Sequence, residues 1–593
     1  MRLPTLTSLS AGLRATILRF PLPTLFAAIV TGLLIYIFDS SLDEEVILRF
    51  VLLAGLGFVA SLFGDLIAEA SGASGRKRLL GQIGVVVLLI LYGSFIMPES
   101  LKNPRPPFIY SYSILLFALH LGIALVPVLS AGGSNLLWRF NLSCFLRYFF
   151  SSVNAALLFG GLALALLSVD KLFELGLDDE LYPKLWVLCA FFAHPMLFLG
   201  GLPRLSVLTD EDTFPKPLRF SLCFIGLPLV ALYLLILYAY IGKIVLQWSW
   251  PNGWVAMPIF VLGVIGLLTY VLSLPLPKSE NWARFYHRWL YRLLLPLSIV
   301  LFLALQVRLG DYGMTINRYL GLALAIWLFG ISLAYIIRPS LKIGWMPFSL
   351  LIVSLFSIYA GPAGAFGWSQ RAQIERIHRM ATEMGVMKDN ILVPSTADYE
   401  AKTVEEFQSA LRYVLENFDA AALETELAGF YEKNELRAPY RSSGYYMTNQ
   451  IMVYLELNDD LEHASTQFYA NQAVIPTQGH AWMIDYSIYS YRKNNSSSQY
   501  TLEDIELQFI ANTELNTLVI KADDVEIINI DLAPWAADVK NAVKAKGSNQ
   551  PEPLIWNAEN NGWIFSFVCT NAQLKNNTAG FLSANLRVFL TLP

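Results

Sequence analysis

The chain has 593 residues, of which 55% are hydrophobic and only 15% charged, and its mean hydropathy is +0.49. Soluble domains carry roughly 25% charged residues, so a wholly soluble protein is excluded, and the deficit falls within the first 360 residues. The formal net charge of −4 averages two unlike halves; with no basic domain or nucleic-acid motif present, nucleic acid is excluded as a partner.

Arg2, Arg14 and Arg19 precede an apolar run from Pro21 to Phe38. That run is too long for the core of a cleaved signal and lacks a small-residue cleavage site before the acidic Asp39–Glu45 segment, so it reads as a first transmembrane helix. A hydrocarbon core roughly 30 Å thick needs roughly 20 apolar residues in a helix. About eleven stretches qualify: 21–38, 46–68, 79–97, 110–128, 151–169, 185–201, 220–242, 253–274, 290–307, 316–337 and 344–360. After Gly361 no further run of this kind occurs.

Charge orients the spans. With the N-terminus in the cytoplasm, about seventeen Lys and Arg fall on the cytoplasmic side and about eight on the other, the direction of the positive-inside rule. An odd number of spans then places the C-terminal domain outside the membrane, in the periplasm of a Gram-negative cell. Trp248, Trp250 and Trp254 gather at one expected interface and Trp138, Trp282 and Trp289 at the other, where amphipathic rings are favoured. Two basic, aromatic segments, 134–150 and 281–292, read as helices lying on the membrane. Such segments anchor orientation, and the second also suits anionic lipid headgroups.

Residues 1–361 are thus expected to form a transmembrane helical domain and 362–593 an extramembrane, periplasmic α+β domain with a mostly antiparallel sheet. The junction GPAGAFGWSQ is turn-like, and a helix begins near Ser369, with Ile374, Ile377, Met380, Ala381 and Met384 at helical spacing and Gly385 as its stop. A second helix opens with the capping pair Thr403 and Glu406. From about Tyr440 the period changes to two. Ile451, Val453, Leu455 and Leu457 alternate, and similar runs follow at 481–492, 501–511, 518–522, 525–532, 563–569 and 586–592, with the polar stretch 494–499 read as a hairpin loop. Cys144, Cys189 and Cys223 lie in or beside apolar spans and Cys569 is alone in the C-terminal domain, so no disulfide is expected there.

Two short motifs carry a family resemblance. One is Arg308, Tyr312, Gly313, Thr315, Arg318 and Tyr319 near the end of the apolar region; the other is Gly361, Pro362, Gly364, Ala365 and Phe366 at the junction. Together they resemble an uncharacterised bacterial membrane family, domain of unknown function 4153. The resemblance covers the membrane half and the junction, implies a bacterial inner-membrane protein and supplies no reaction.

Ionisable residues inside spans are costly and are functional candidates by default. Asp65 and Glu69 lie one turn apart on one helix face, and His120 and His194 lie mid-span, His194 directly before Pro195. A proton or cation path is one reading. The structural alternative has Asp65 reaching water at the cytoplasmic end and each histidine bonding a neighbouring backbone. Arg308, Asp311 and Arg318 form either a salt-bridged brace or a site for an anionic headgroup or lipid-linked phosphate. No catalytic motif, metal-ligand cluster or cofactor fingerprint is found. His463 and His480 stand isolated, and the acid pairs Asp459–Asp460 and Asp523–Asp524 read as turns.

Three functions follow, in this order. The first is a non-enzymatic envelope protein that anchors, signals, or binds an envelope protein or polymer through 362–593. The second is a proton- or ion-coupled transporter or lipid flippase, with Asp65, His120 or His194 at a wet cavity. The third is an enzyme acting on a lipid-linked substrate, with acids and bases clustered at Arg308–Tyr319.

Overall fold

The computed structural model describes residues 6–39, 44–98, 101, 104–130, 133–208, 214–247, 256–276, 280–395, 400–434, 444–457, 465–469, 482–489, 496–502, 505–512, 516–545, 554–560, 562–575 and 581–591. The chain divides into two compact units. One comprises Met1–Met380, Ser409–Thr425 and Arg437–Gly444; the other comprises Ala381–Gln408, Glu426–Leu436 and Tyr445–Pro593.

The first unit is helical, because apolar segments in lipid must satisfy every backbone polar group internally. Among the described residues nine helices are long and apolar enough to cross a membrane: Pro21–Phe38, Glu44–Ala70, Gly75–Phe95, Pro106–Leu129, Asn135–Phe173, Leu181–Gly201, Lys216–Gln247, Asn281–Gly310 and Ile316–Ile337. Two further apolar helices, Ala256–Leu272 and Trp345–Tyr359, occupy the other two expected spans but are shorter, at 17 and 15 residues. The protein is therefore a membrane protein with at least nine helices of spanning length, and its apolar surface calls for a lipid bilayer.

The two segments expected to lie on the membrane are not separate helices. Residues 134–150 run without a break into the next span, forming one helix, Gly133–Phe173, of 41 residues. At 1.5 Å per residue it is about 60 Å long. Nothing between the two segments interrupts it, and Leu137, Phe140 and Leu142 are buried in protein. Likewise 281–292 opens the 32-residue helix Asn281–Tyr312, with Ala283 and Leu290 fully buried. Two other helices contain a π-turn, Cys189–Ala193 and Leu222–Gly226. Pro195 and Pro228 follow them, and each removes the N–H that the carbonyl four residues earlier would accept.

Small residues let these helices approach. A Cβ on Gly57 would come within 2.8 Å of both Phe26 and Leu89, and one on Gly122 within 3.0 Å of Phe63. At one end of the bundle Phe20, Leu62, Leu66, Phe140 and Leu199 form a fully packed cluster.

The helix after the junction runs Ala365–Glu383, starting four residues before Ser369. Gly385, at φ +67°, ends it. Its N–H donates to Thr382 O and that of Val386 to Ala381 O, the two bonds of a Schellman stop. The next helix, Ala401–Phe418, begins before Thr403, so Thr403 lies inside its first turn rather than at its cap.

In the second unit Ile451 is not on a strand. Gly444–Tyr454 is a helix, and Met447, Thr448, Ile451, Met452 and Tyr454 are its buried positions. The apparent alternation misled because Val453 is exposed while Leu455 and Leu457, just beyond the helix, are buried. Eleven strands are seen among the described residues. β1 (Met387–Lys388) and β2 (Ile391–Leu392) form a hairpin whose turn residues Asp389 and Asn390 are both left-handed.

A five-stranded antiparallel sheet has the order β3 (Ser465–Tyr469), β10 (Trp563–Lys575), β11 (Phe581–Thr591), β4 (Trp482–Tyr489), with β9 (Leu554–Asn560) also pairing β10. A four-stranded antiparallel sheet runs β5 (Ser496–Leu502), β6 (Ile505–Asn512), β7 (Thr517–Ala522), β8 (Val525–Asp531). The expected loop 494–499 is therefore strand from Ser496 onward. Residues 494–495 lie outside the described residues, as do Asp459, Asp460, His463 and His480.

The two sheets share one core. Leu507, Phe509 and Ala511 alternate inward on β6, Phe565, Phe567 and Cys569 on β10, and Leu586, Val588 and Leu590 on β11. Tyr486 on β4 meets Phe509 on β6 with ring centroids 5.1 Å apart. The helix Ala533–Ala545 adds Trp535, Ala536 and Val539 to this core. Asp523 and Asp524 are the left-handed turn between β7 and β8.

Candidate functional site

Asp65 and Glu69 are both paired with arginines. Asp65 is fully buried, and its Oδ1 accepts from Arg78 Nε at 2.9 Å and Gln82 Nε2 at 3.1 Å. Its Oδ2 has no hydrogen-bond partner among the described residues. Glu69 takes a two-pronged bond from Arg19, Nε to Oε1 at 2.8 Å and Nη2 to Oε2 at 2.9 Å. Arg19 also donates to Leu202 O at 2.5 Å and Pro203 O at 3.1 Å, and Arg78 donates to Arg19 O. Two carboxylates and two guanidinium groups thus form a charge-balanced network. It ties the helices Leu6–Arg19, Glu44–Ala70 and Gly75–Phe95 to the backbone that follows Gly201.

The histidines do not join it. His120 is exposed on its helix surface, and its Nδ1 bonds Leu116 O at 2.7 Å, in its own helix. His194 Nε2 lies 3.1 Å from Ser152 Oγ, and its ring meets Tyr148 edge-on at 5.0 Å. A cavity of about 680 Å³ opens elsewhere in this unit, between Pro106–Leu125, the start of Gly133–Phe173, Ala256–Leu272, Ile316–Ile337 and Trp345–Tyr359. Its wall is almost wholly apolar, with Asn141, Ser354 and Ser357 among the few polar side chains, and it contains none of Asp65, Glu69, His120 or His194.

The Arg308–Tyr319 segment is the second polar site. The helix Asn281–Tyr312 ends at Gly313, whose φ of +69° suits glycine. Thr315 caps the next helix, its Oγ1 accepting from Arg318 N at 3.4 Å. The turn's carbonyls face donors. Arg318 Nη1 donates to Tyr312 O at 3.1 Å and Gly313 O at 2.8 Å. Gln373 Nε2 donates to Tyr312 O at 3.1 Å and Met314 O at 2.8 Å, and Arg376 Nη1 to Tyr312 O at 3.2 Å. Tyr413 Oη accepts from Ile316 N at 2.8 Å, and burial pushes its phenol up, keeping it protonated. Arg308 is exposed. Among the described residues no carboxylate pairs with Arg308 or Arg318; the side chain of Asp311 lies outside them.

The two motifs behind the family resemblance touch. Tyr319 Oη donates to Ala363 O at 2.9 Å, and its ring meets Trp368 at 5.8 Å. The junction is tight, since a Cβ on Gly367 would lie 2.6 Å from Gly361 O.

Sequence reasoning missed the partners. Arg78 and Gln82 stand four apart on one helix face, and a glutamine inside an apolar run was the available signal for a buried acid opposite. Gln373 and Arg376, three apart on the following helix, had no comparable signal. Among the described residues no group of three or more His, Cys, Asp or Glu is placed to hold a metal ion.

Residues 25–386 match the family described as "Domain of unknown function (DUF4153)". An uncharacterized protein of Pasteurella multocida (strain Pm70), PM1469, is 26% identical over 310 residues, which is 52% of each chain, so the match spans about half the length of that relative. No solved structure matches. With the family match running across more than half of the chain and over both motifs, the protein belongs to the DUF4153 family.

Proposed function

We propose that this is a non-enzymatic protein of the bacterial inner membrane. Residues 1–361 act as an anchor with the N-terminus in the cytoplasm. Residues 362–593 are held in the periplasm to bind an envelope protein or polymer, or to relay a signal. The observation that carries this reading is the network of Arg19, Asp65, Glu69, Arg78 and Gln82. A transport path needs an ionisable group at the wall of a wet cavity, free to change its charge. Here both carboxylates are tied to arginines at the end of the bundle, and the large cavity is apolar. An enzyme acting at Arg308–Tyr319 needs acids and bases; the described polar side chains there are Arg308, Tyr312, Thr315, Asn317, Arg318 and Tyr319, with Gln373, Arg376 and Tyr413 bonded to the turn. Nine helices of spanning length among the described residues, or eleven with the two shorter ones, are both odd numbers, and either supports opposite sides for the termini. The basic, aromatic start of Asn281–Tyr312 suits anionic headgroups in the cytoplasmic leaflet.

The test is reconstitution of the full chain into sealed liposomes carrying a pH-sensitive dye. The expected result is proton flux no greater than that of empty vesicles under an imposed gradient. Gradient-driven flux that Asp65→Asn abolishes would overturn the reading in favour of transport.

A further inference from the structure

We propose that the Tyr312–Arg318 turn is a receptor for a phosphate group, held by the guanidinium groups of Arg308 and Arg318. Arg318 and Arg376 bond the same oxygen, Tyr312 O, so their Nη1 atoms lie within about 6 Å of each other. The like charges that bear on Arg318 are those of Arg308 and Arg376. Arg308 and Arg318 thus set like charges at the turn, and no described carboxylate offsets either. An anion placed among them turns that repulsion into attraction.

The donors left over fit a phosphate. Arg318 spends both hydrogens of Nη1 on carbonyls, which fixes the plane of its fork and leaves the hydrogens of Nε and Nη2. Planar guanidinium forks match tetrahedral oxyanions in two-pronged geometry. Arg308 is exposed and supplies a second charge from the preceding helix. The helix N–H groups of Ile316 and Arg318 are already taken by Tyr413 Oη and Thr315 Oγ1, so side chains hold the anion. The turn joins two membrane helices, where phosphate arrives either on a lipid headgroup or free in solution. The apolar cavity is not continuous with this site. On Ile316–Ile337 its wall is formed by Leu320, Ala323, Leu324, Trp327 and Leu328, which lie on the face opposite Arg318.

The experiment is thermal unfolding of the full-length protein under three conditions. These are phosphatidylcholine nanodiscs, the same discs doped with phosphatidylglycerol, and neutral detergent titrated with inorganic phosphate. Wild type, Arg308→Gln, Arg308→Lys and Arg318→Lys are compared. Arg308→Gln is the informative variant, because Arg308 is exposed and its loss leaves the fold intact. A rise in Tm with phosphatidylglycerol but not phosphate assigns a lipid source; a rise with phosphate assigns a free one. In either case Arg308→Gln weakens apparent affinity about tenfold or more, and Arg308→Lys keeps most of it. No rise with either anion, or a rise of equal size in Arg308→Gln and Arg318→Lys, would overturn the proposal.

Discussion

Replacing Asp65 by Asn leaves the shape of the Asp65–Glu69 network and removes one of its two negative charges. The amide oxygen can still accept from Arg78 and Gln82, as Oδ1 does now. The new NH2 group takes the place of Oδ2, a buried position with no hydrogen-bond partner in reach among the described residues. An unmet buried donor costs about 1–3 kcal/mol. Arg78 also loses its counter-charge, and breaking a fully buried pair costs about 3–5 kcal/mol. The Arg78 side chain is 27% exposed, so water screens some of that loss, and the sum is about 2–4 kcal/mol. The double variant Asp65→Leu/Arg78→Met removes both charges while keeping volume. It loses the bonds from Arg78 to Arg19 O and from Gln82 to Asp65, about 1 kcal/mol each, and stays within about 2 kcal/mol of wild type. The assay is denaturant-induced unfolding in mixed micelles, read by tryptophan fluorescence, arranged as a double-mutant cycle. A single variant as stable as wild type, or a double variant as damaged as the two singles added, would refute the idea that this network is a structural brace.

Three further outcomes are expected. Gly367→Ala puts a methyl group against the backbone of Gly361 and Pro362 and lowers stability by about 1–3 kcal/mol, whereas Gly310→Ala, with open space around it, is neutral in the same thermal melt. Trp535→Ala empties the stack on Trp556, whose centroid lies 4.6 Å away, and costs about 3–5 kcal/mol; amide exchange in Trp563–Lys575 then accelerates while that in Glu44–Ala70 is unchanged. In a background without the native cysteines, Val525→Cys, at an exposed strand start, reacts with a membrane-impermeant maleimide on spheroplasts; labelling only after lysis would place residues 362–593 in the cytoplasm.

What the sequence revealed followed from how local each signal is. Apolar runs such as Pro21–Phe38 and Ile316–Ile337 announce helices because lipid leaves no alternative. Gly385 ended its helix where expected because a left-handed residue is needed there and glycine supplies it without strain. Helix starts and ends not marked by such a residue were less legible. Nothing in 134–150 says whether it will stop before the next span, since helix propagation is easy once begun and only packing decides. Ile451 alternated like a strand residue, yet the buried set Met447, Thr448, Ile451, Met452 and Tyr454 is helical, a choice made by contacts distant in sequence. The candidate acids were visible as charges in greasy surroundings. Their arginine partners were not, since Arg19 lies 50 residues from Glu69 and on another helix.

The extent of the family match says where shared function should be sought. It begins at residue 25 and ends at residue 386, one residue beyond the glycine stop and before the first strand. It therefore takes in most of the helical bundle, with Asp65, Glu69, Arg78 and Gln82, the arginine turn, and the helix that supplies Gln373 and Arg376. It leaves out Arg19 and both sheets of the sandwich. A property common to the family must then reside in the bundle or the turn, and between these the turn is the place where Arg308 and Arg318 meet no described carboxylate. The two-sheet core is built from its own side chains, such as Phe509, Phe565 and Val588. On the proposed readings, the exposed surface of the sheets serves a partner and the arginine turn a phosphate. Grafting the sheets of one family member onto the bundle of another would separate the two, since the partner should follow the sheets and the phosphate response the bundle.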